Sequence, residues 1–188
     1  MAAGSVRAAR HAGIIAATTP MAPAMLGGKE RSQCPACGFV LWRNPAPVGM
    51  ALIEHEGKLV LIRRNEAPLA GYWAPPAGYV ECGESVPAAV CREAQEECGL
   101  EIELDGLLGV WSQADVDVLI VAYAAHSRGD VLRAGDDASD ARLFDAMELP
   151  LQPPPADGTA TDRWFYGVVA ETISNWREAR RPARNLRR

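Results

Sequence analysis

The chain has 188 residues, of which 48% are apolar and 23% are charged, as in an ordinary globular domain with tails. This composition excludes collagen, a coiled coil and a wholly disordered chain, and no apolar run reaches the ~18 residues of a membrane helix. The five cysteines are an odd number and too few for a disulfide scaffold, so we expect a reducing, cytoplasmic location.

The net charge of −5 is distributed unevenly along the chain. Residues 34–176 contain 9 basic and 22 acidic residues, whereas residues 177–188 contain six arginines. An acidic core repels the phosphates of nucleic acids, so we expect no specific nucleic-acid partner and no membrane partner. A phosphorylated small molecule would need a cation between itself and this core.

The chain begins with an alanine-rich stretch that has no clear hydrophobic period. We expect a disordered tail there; a secretory signal, a transit peptide, or a true start at Met21 or Met25 are the alternatives. The predicted divisions are a tail over 1–33, a cysteine-bearing segment over 34–45, a globular domain over 46–176 and an Arg-rich tail over 177–188.

The middle of the chain has the alternating apolar pattern and the turn residues of a β-sheet. Strands are predicted over 48–53 and 59–62 as a hairpin, near Tyr79 and Val80, and over 100–111 and 116–125. A helix is predicted over 84–98, a short helix or turn over 138–149, and an amphipathic helix over 161–177. This mixture predicts an α/β sandwich.

The helix over 84–98 has clear ends and an unusual face. Ser85 suits the N-cap, Pro87 the first turn, and Gly99 the stop. Three carboxylates fall within about 100° of the helical wheel, and a stripe of small apolar residues lies opposite. Neighbouring like charges repel, so the cluster indicates either a solvated acidic face or a site for a hard divalent cation. The carboxylates are those of Glu93, Glu96 and Glu97.

The spacing of the residues around this helix distinguishes the two readings. Gly78 is followed after five residues by Glu84, and after seven more by Arg92-Glu93-Ala94-Gln95-Glu96-Glu97-Cys98-Gly99-Leu100. This matches the Nudix box, and the chain resembles the Nudix hydrolases from about Val48 to Trp176. The approach to the box, residues 71–78, is also similar, with Pro75 in place of the usual leucine.

The resemblance implies an α/β/α sandwich with a mixed sheet and a catalytic loop–helix–loop. It also implies hydrolysis of a nucleoside diphosphate linked to another group, with Mg²⁺ or Mn²⁺ as cofactor. The implied metal ligands are Glu93, Glu96, Glu97 and the backbone carbonyl of Ala77. The implied structural residues are Gly78, Glu84 and Arg92, with Glu84 and Arg92 paired to hold loop and helix in register.

The catalytic base in such enzymes often comes from a loop outside the box. Residues 134–142 resemble that acidic loop, and Asp136 and Asp137 are the candidates. The alternative is an Asp-rich turn that caps the following helix through Asp137 or Ser139.

Cys34 and Cys37, followed by Asn44-Pro45, resemble the second knuckle of a zinc ribbon that precedes the Nudix domain in one branch of the family. A structural Zn²⁺ normally has four ligands, and only half a ribbon is present. A degenerate remnant, a site shared across a dimer, or a lost first knuckle are the alternatives.

Few residues of the sequence indicate the substrate. Tyr72, Trp73 and Trp111 are candidates for stacking on a base, although each also suits the core. The longer motif of NADH-directed relatives is missing after Trp111, which weakens an assignment to NADH. We expect ADP-ribose or a related dinucleotide such as NADH or FAD. A nucleoside triphosphate pyrophosphatase and a non-catalytic nucleotide sensor are the alternatives, and we expect a homodimer.

Overall fold

The computed structural model describes residues 20–129, 131–135, 137–150 and 152–180. The chain divides into two compact units, Met1–Asn44 and Pro45–Arg188. Within the described ranges, no helix is both long enough and apolar enough to span a membrane.

The first unit contains a three-stranded antiparallel sheet. Its strands are β1 (Ala22–Leu26), β2 (Lys29–Gln33) and β3 (Val40–Leu41), in that order across the sheet. The prediction of a disordered tail is therefore wrong for residues 22–33. Gly27 and Gly28 both have positive φ, at 61° and 77°, and this is the backbone of a two-residue hairpin turn. The turn pairs two strands whose sequences lack a regular apolar alternation.

The second unit is built around a seven-stranded mixed sheet. The strand order is β10-β5-β4-β9-β8, with β6 paired to β5 and β7 to β4. The strands are β4 (Ala46–His55), β5 (Lys58–Arg64), β6 (Trp73–Ala74), β7 (Ala77–Tyr79), β8 (Ile102–Ser112), β9 (Val118–Ser127) and β10 (Ala138–Phe144). Strands β4 and β9 are parallel, and the other pairs are antiparallel.

Successive residues of the central strand β4 belong to two separate cores. Met50 and Leu52 belong to a cluster that includes helix α2 (Ala160–Ala179), whereas Ala51 and Ile53 belong to one that includes helix α1 (Val86–Cys98). Because side chains alternate across a strand, each helix covers one face of the sheet. The α/β sandwich expected from the sequence is therefore present.

Both long helices begin directly after a residue whose side chain caps them. The Ser85 hydroxyl accepts a hydrogen bond from the Ala88 N–H, and Gly99 ends α1 with a left-handed φ of 71°. Helix α2 begins after Thr159, which forms a capping box with Asp162. The predictions of these two helices are confirmed, with small shifts at the ends.

The prediction of a short helix or turn over 138–149 is wrong, because residues 138–144 form the edge strand β10. Ala141 pairs with Ile62 and Leu143 with Val60 of β5. The polar residues of this segment hide the strand pattern, and pairing with β5 overrides their weak strand propensity. Asp137 and Ser139 therefore cap no helix, and the Ser139 hydroxyl donates to the Arg63 carbonyl.

Candidate active site

Helix α1 lies unusually close to the sheet. A Cβ on Gly49 of β4 would come within 2.7 Å of the Val90 Cγ2 atom, so only glycine allows this approach without a shift. Ala94 and Cys98 of the small apolar stripe are fully buried against the sheet. A helix packed this closely has little freedom to slide, and its opposite face is held in place as well.

Two carboxylates of that opposite face are held against the loop before the helix. Glu97 is only 6% exposed, and its Oε2 accepts a 2.8 Å hydrogen bond from the Ala77 N–H. The Glu93 carboxylate lies directly over Gly78, where a Cβ would come within 2.0 Å of its Oε1. The glycine of the box therefore provides the space that the Glu93 carboxylate occupies.

Arg92 links the same loop to the helix. Its Nη2 and Nε donate to the two carboxylate oxygens of Glu84 at 2.7 and 3.2 Å, and Nη2 also donates to the Tyr79 carbonyl. Its Nη1 donates to Glu93 Oε1 and to Glu96 Oε2, each at 2.8 Å. The Arg92 hydrogen bonds lower the pKa of Glu84, so that carboxylate stays charged and the pair stays closed.

The segment before β10 crosses the C-terminal end of α1. The N–H groups of Arg133 and Gly135 donate to the carbonyls of Cys98 and Glu97, at 3.1 and 3.0 Å. A Cβ on Gly135 would come within 1.7 Å of the Glu96 carbonyl oxygen, so this contact requires glycine. The result is that Asp137 faces the same cavity as Glu97. Asp136, the other candidate base, lies outside the described residues.

These elements surround a cavity of about 400 Å³. One part of its wall is acidic and another is apolar, with Val48, Val118, Ile120, Trp164 and Phe165. Among the described residues of the wall, Arg64 is the only cation. The acidic residues are Glu66, Glu81, Glu93, Glu97 and Asp137.

Burial, and to a smaller extent the neighbouring acids, changes the pKa of the carboxylates in the cavity. Burial, together with the charges of Glu93 and Asp137, raises the pKa of Glu97 to about 7, against the opposing effects of the Ala77 N–H and Arg64. Burial also raises the pKa of Glu93. A positive charge placed among these groups would favour their ionised forms.

The donor set of the cavity suits a hard divalent cation, since carboxylate oxygens are the ligands that Mg²⁺ and Mn²⁺ prefer. As they lie here, however, no three acidic, histidine or cysteine side chains of the described residues converge on a common point. Arg92 holds both Glu93 and Glu96, and the Glu96 side chain is 58% exposed and is not part of the cavity wall. Of the acids predicted from the sequence as metal ligands or base, the cavity wall includes Glu93, Glu97 and Asp137.

The three aromatic residues proposed for stacking lie elsewhere. The Tyr72 ring packs edge-on against Tyr166, and the Trp73 ring against Phe144. The Trp111 indole donates to Glu171 at 3.3 Å. None of the three lines the cavity that contains Glu93 and Glu97.

Sequence reasoning missed Arg64, Trp164 and Phe165 as residues of the site. One signal was present: adjacent aromatic residues on a helix point about 100° apart, so Trp164 and Phe165 do not both face the sheet core. Phe165 is buried, and the guanidinium carbon of Arg64 lies 5.3 Å from its ring centroid. Trp164 is half-buried in the cavity wall.

In the first unit, Cys34 and Cys37 form a tight turn. The Gly38 N–H donates to the Cys34 carbonyl, and the Cys34 N–H to the Phe39 carbonyl. Hydrogen bonding from the Cys37 backbone lowers the pKa of the Cys34 thiol. No further cysteine or histidine of the described residues completes a group of three here, and the zinc assignment stays a prediction.

Comparison with known proteins identifies the family. A model of the NUDIX domain matches residues 43–165. The chain belongs to the Nudix family. The predicted family, fold class and enzyme class are confirmed.

Two curated relatives and one solved structure illustrate the range of similarity. An ADP-ribose pyrophosphatase of Methanocaldococcus jannaschii is 42% identical over 116 residues, which cover 60% of this chain and 69% of that protein. The NAD-capped RNA hydrolase NudC of Stutzerimonas stutzeri is 30% identical over 67% of this chain, but the match spans only 46% of that relative's length. The crystal structure of a Nudix hydrolase from Nitrosomonas europaea superposes with a TM-score of 0.74 at 25% identity, covering 86% of this chain and 88% of that one.

Proposed function

We propose that this Nudix protein hydrolyses the pyrophosphate bond of a nucleoside diphosphate linked to another group, and that ADP-ribose is its preferred substrate. The observation that carries the proposal is the shared cavity, in which box carboxylates, one arginine and an aromatic wall face each other. The relative from M. jannaschii, 42% identical and named an ADP-ribose pyrophosphatase, supports this choice of substrate. The missing motif after Trp111 argues against NADH.

Nudix hydrolases generally use divalent metals such as Mg²⁺ or Mn²⁺. We propose that Glu93, Glu96, Glu97 and the Ala77 carbonyl would hold them, with the half-buried Glu93 and the buried Glu97 contributing most. When bound, such ions offset the repulsion between the acidic wall and a diphosphate and lower the pKa of bound water.

The remaining residues of the cavity have separate tasks in this proposal. The water oxygen forms a bond to one phosphorus, and the bond from that phosphorus to the bridging oxygen breaks. Asp137 accepts the proton of the water, and Arg64 binds phosphate oxygens through its guanidinium. Trp164 provides a flat apolar surface for the base. The products from ADP-ribose are AMP and ribose 5-phosphate.

The experiment that tests the proposal is a screen of ADP-ribose, NADH, FAD and nucleoside triphosphates with Mg²⁺ and with Mn²⁺. We expect the highest kcat/KM with ADP-ribose and a stoichiometric yield of AMP and ribose 5-phosphate. Release of pyrophosphate from triphosphates at a higher kcat/KM would instead assign nucleotide sanitising. Binding of ADP-ribose without products would assign a sensor.

The role of Asp137 is tested separately by Asp137→Asn. Loss of the base lowers kcat by about 10²-fold and changes KM little, because the substrate's other contacts remain. A normal kcat in this variant would move the proton acceptor to another group of the cavity.

We also propose a homodimer that forms through the sheet edge. Strand β8 ends the sheet on one side, and its Leu107, Leu108 and Val110 side chains are exposed. Exposed apolar residues on an edge strand favour pairing with a second chain. Light scattering after gel filtration should give twice the chain mass, and Leu108→Glu should give the monomer.

A cytoplasmic location belongs to the same proposal. All five cysteines are free, as a reducing compartment maintains them. Fractionation of cells that express the full chain tests it.

Zinc binding by Cys34 and Cys37 is tested by metal analysis of the purified protein. A zinc content well below half an equivalent per chain would contradict it.

A further inference from the structure

Asp162, in the first turn of α2, bonds to two different parts of the protein. Its Oδ2 accepts from the Thr159 N–H at 2.7 Å and from the Thr159 hydroxyl at 2.6 Å, which closes the capping box. Its Oδ1 accepts a 3.1 Å hydrogen bond from the Leu69 N–H. One carboxylate therefore caps the helix with one oxygen and holds a distant loop with the other.

The loop held by Asp162 follows directly after Arg64, the last residue of β5 and the arginine of the cavity. Leu69 is buried and has a φ of 62°, which is unfavourable for leucine and persists only where its surroundings fix it. The Tyr72 N–H donates to the Leu69 carbonyl, and the Gly71 N–H to the Arg64 carbonyl. The loop thus folds back onto its own starting point beside the cavity.

The residue before Leu69 fixes the guanidinium itself. Arg64 Nε donates a 2.7 Å hydrogen bond to the Pro68 carbonyl, while Phe165 of α2 packs against the guanidinium face. An arginine has five N–H donors, so the four on Nη1 and Nη2 are not used by this bond. The orientation of those four donors depends on where the Pro68 carbonyl lies.

We propose that Asp162 is a positioning residue for the substrate's diphosphate: by holding Leu69 it fixes the Pro68 carbonyl and so aims Arg64 into the cavity. This rests on the function proposed above, since Arg64 is assigned there to the phosphate oxygens. The first turn of α2 also supplies Thr161 and Trp164 to the cavity wall. The same bond therefore sets Arg64, at the end of β5, relative to the aromatic wall formed by the helix.

A matched pair of variants separates this role from helix capping. Asp162→Ala removes both the cap and the Leu69 bond, whereas Thr159→Ala weakens the cap and leaves Oδ1 and Leu69 in place. Both variants should lower Tm. Only Asp162→Ala should raise KM for ADP-ribose and Kd for ADP, by about tenfold, with kcat changed less than about threefold.

A double-mutant cycle shows whether Asp162 acts through Arg64. Arg64→Met alone should raise Kd for ADP, and Asp162→Ala should add less than about twofold in that background, because residues that share one function are not additive. Additive effects of the two changes would overturn the proposal. An equal rise of Kd in Thr159→Ala would also overturn it, because it would assign the whole effect to the cap.

Two further measurements keep the test decisive. If Asp162→Ala does not fold, Asp162→Leu has nearly the same length but no acceptor oxygen for the Leu69 N–H, and a Kd for ADP unchanged from wild type would overturn the role. ADP binding, measured by calorimetry, does not depend on turnover. If the wild type binds ADP but hydrolyses no ADP-ribose, the proposed function is wrong, and the comparison of Asp162 variants still tests the positioning role. If the wild type does not bind ADP, the positioning role is wrong as well.

Discussion

Helices α1 and α2 cover opposite faces of one sheet, yet they pack on it in different ways. Helix α1 contacts the sheet through small residues, with a glycine beneath Val90 and fully buried Ala94 and Cys98. Helix α2 contacts it through large ones, including Phe165 and Trp176, which are nearly buried.

The difference matches what each helix presents to the cavity. Helix α1 presents Glu93 and Glu97, whose positions must be accurate to a fraction of an ångström for chemistry. Helix α2 presents Trp164 and Phe165, whose apolar surfaces tolerate small shifts. The helix that carries the carboxylates, α1, therefore packs closely on the sheet through small residues. The helix that carries the surface proposed to recognise the base, α2, packs through large side chains.

The largest effect is expected where the closely packed helix meets the cavity. Glu97→Gln removes a buried charge while keeping the shape and one acceptor for the Ala77 N–H. We expect ADP-ribose hydrolysis with Mg²⁺ to fall by about 10³-fold while the circular dichroism spectrum stays unchanged. Glu178→Gln, an exposed change at the end of α2, is the control. Wild-type turnover at saturating Mg²⁺ in Glu97→Gln would contradict the assignment.

Two alanine substitutions distinguish the two sides of α1. Gly78→Ala places a methyl group where the Glu93 carboxylate lies, and we expect activity to fall by about 10²-fold with a small loss of stability. Gly49→Ala places one against Val90 on the packing side, and we expect a loss of about 1–3 kcal/mol in the free energy of unfolding, with activity per folded molecule nearly kept. Urea denaturation and initial rates measure both; equal loss of activity in the two would remove the distinction.

The site residues of α1 can be predicted from the sequence better than those that α2 contributes. The capping residues, the carboxylate stripe and the Glu84–Arg92 pair are all local, and spacing along one helix determines which residues meet. Arg64, Trp164 and Asp137 come from three distant segments, and the pairing that joins them is not local. The misassigned strand β10 shows the same limit, since its structure follows from β5 and not from its own residues.

The hydrogen bonds that place Asp137 could have been anticipated only in part. Gly135 is required by its contact with the Glu96 carbonyl, but a glycine in an Asp-rich stretch equally suits a simple turn. The aromatic residues singled out at 72, 73 and 111 illustrate the opposite error. Residue type alone favoured stacking on a base, whereas their actual partners are Tyr166, Phe144 and Glu171.

The pH dependence of stability reports on the charged side of α1. The pKa of Glu97 is raised to about 7 in the folded state, from an ordinary value of 4.5, so the folded state keeps a proton that the unfolded state releases. Its stabilising contribution is complete below pH 4.5 and is lost as pH rises through about 7, a change of about 3 kcal/mol. Metal-free wild type should therefore lose stability relative to Glu97→Gln across this window. Urea denaturation in EDTA at several pH values measures it; parallel curves would contradict the raised pKa.

The smallest effect is expected at the aromatic wall. Trp164→Leu keeps an apolar side chain but removes the flat ring, and we expect KM for ADP-ribose to rise by about tenfold while kcat stays within about twofold. Product inhibition separates the base from the phosphate, because AMP carries the base and ribose 5-phosphate does not. Inhibition by AMP should weaken by a similar factor, whereas inhibition by ribose 5-phosphate should not change. If inhibition by both compounds weakens equally, Trp164 supports the cavity wall without contacting the base. In that case α1 would still supply the carboxylates, but α2 would not supply the surface that recognises the base.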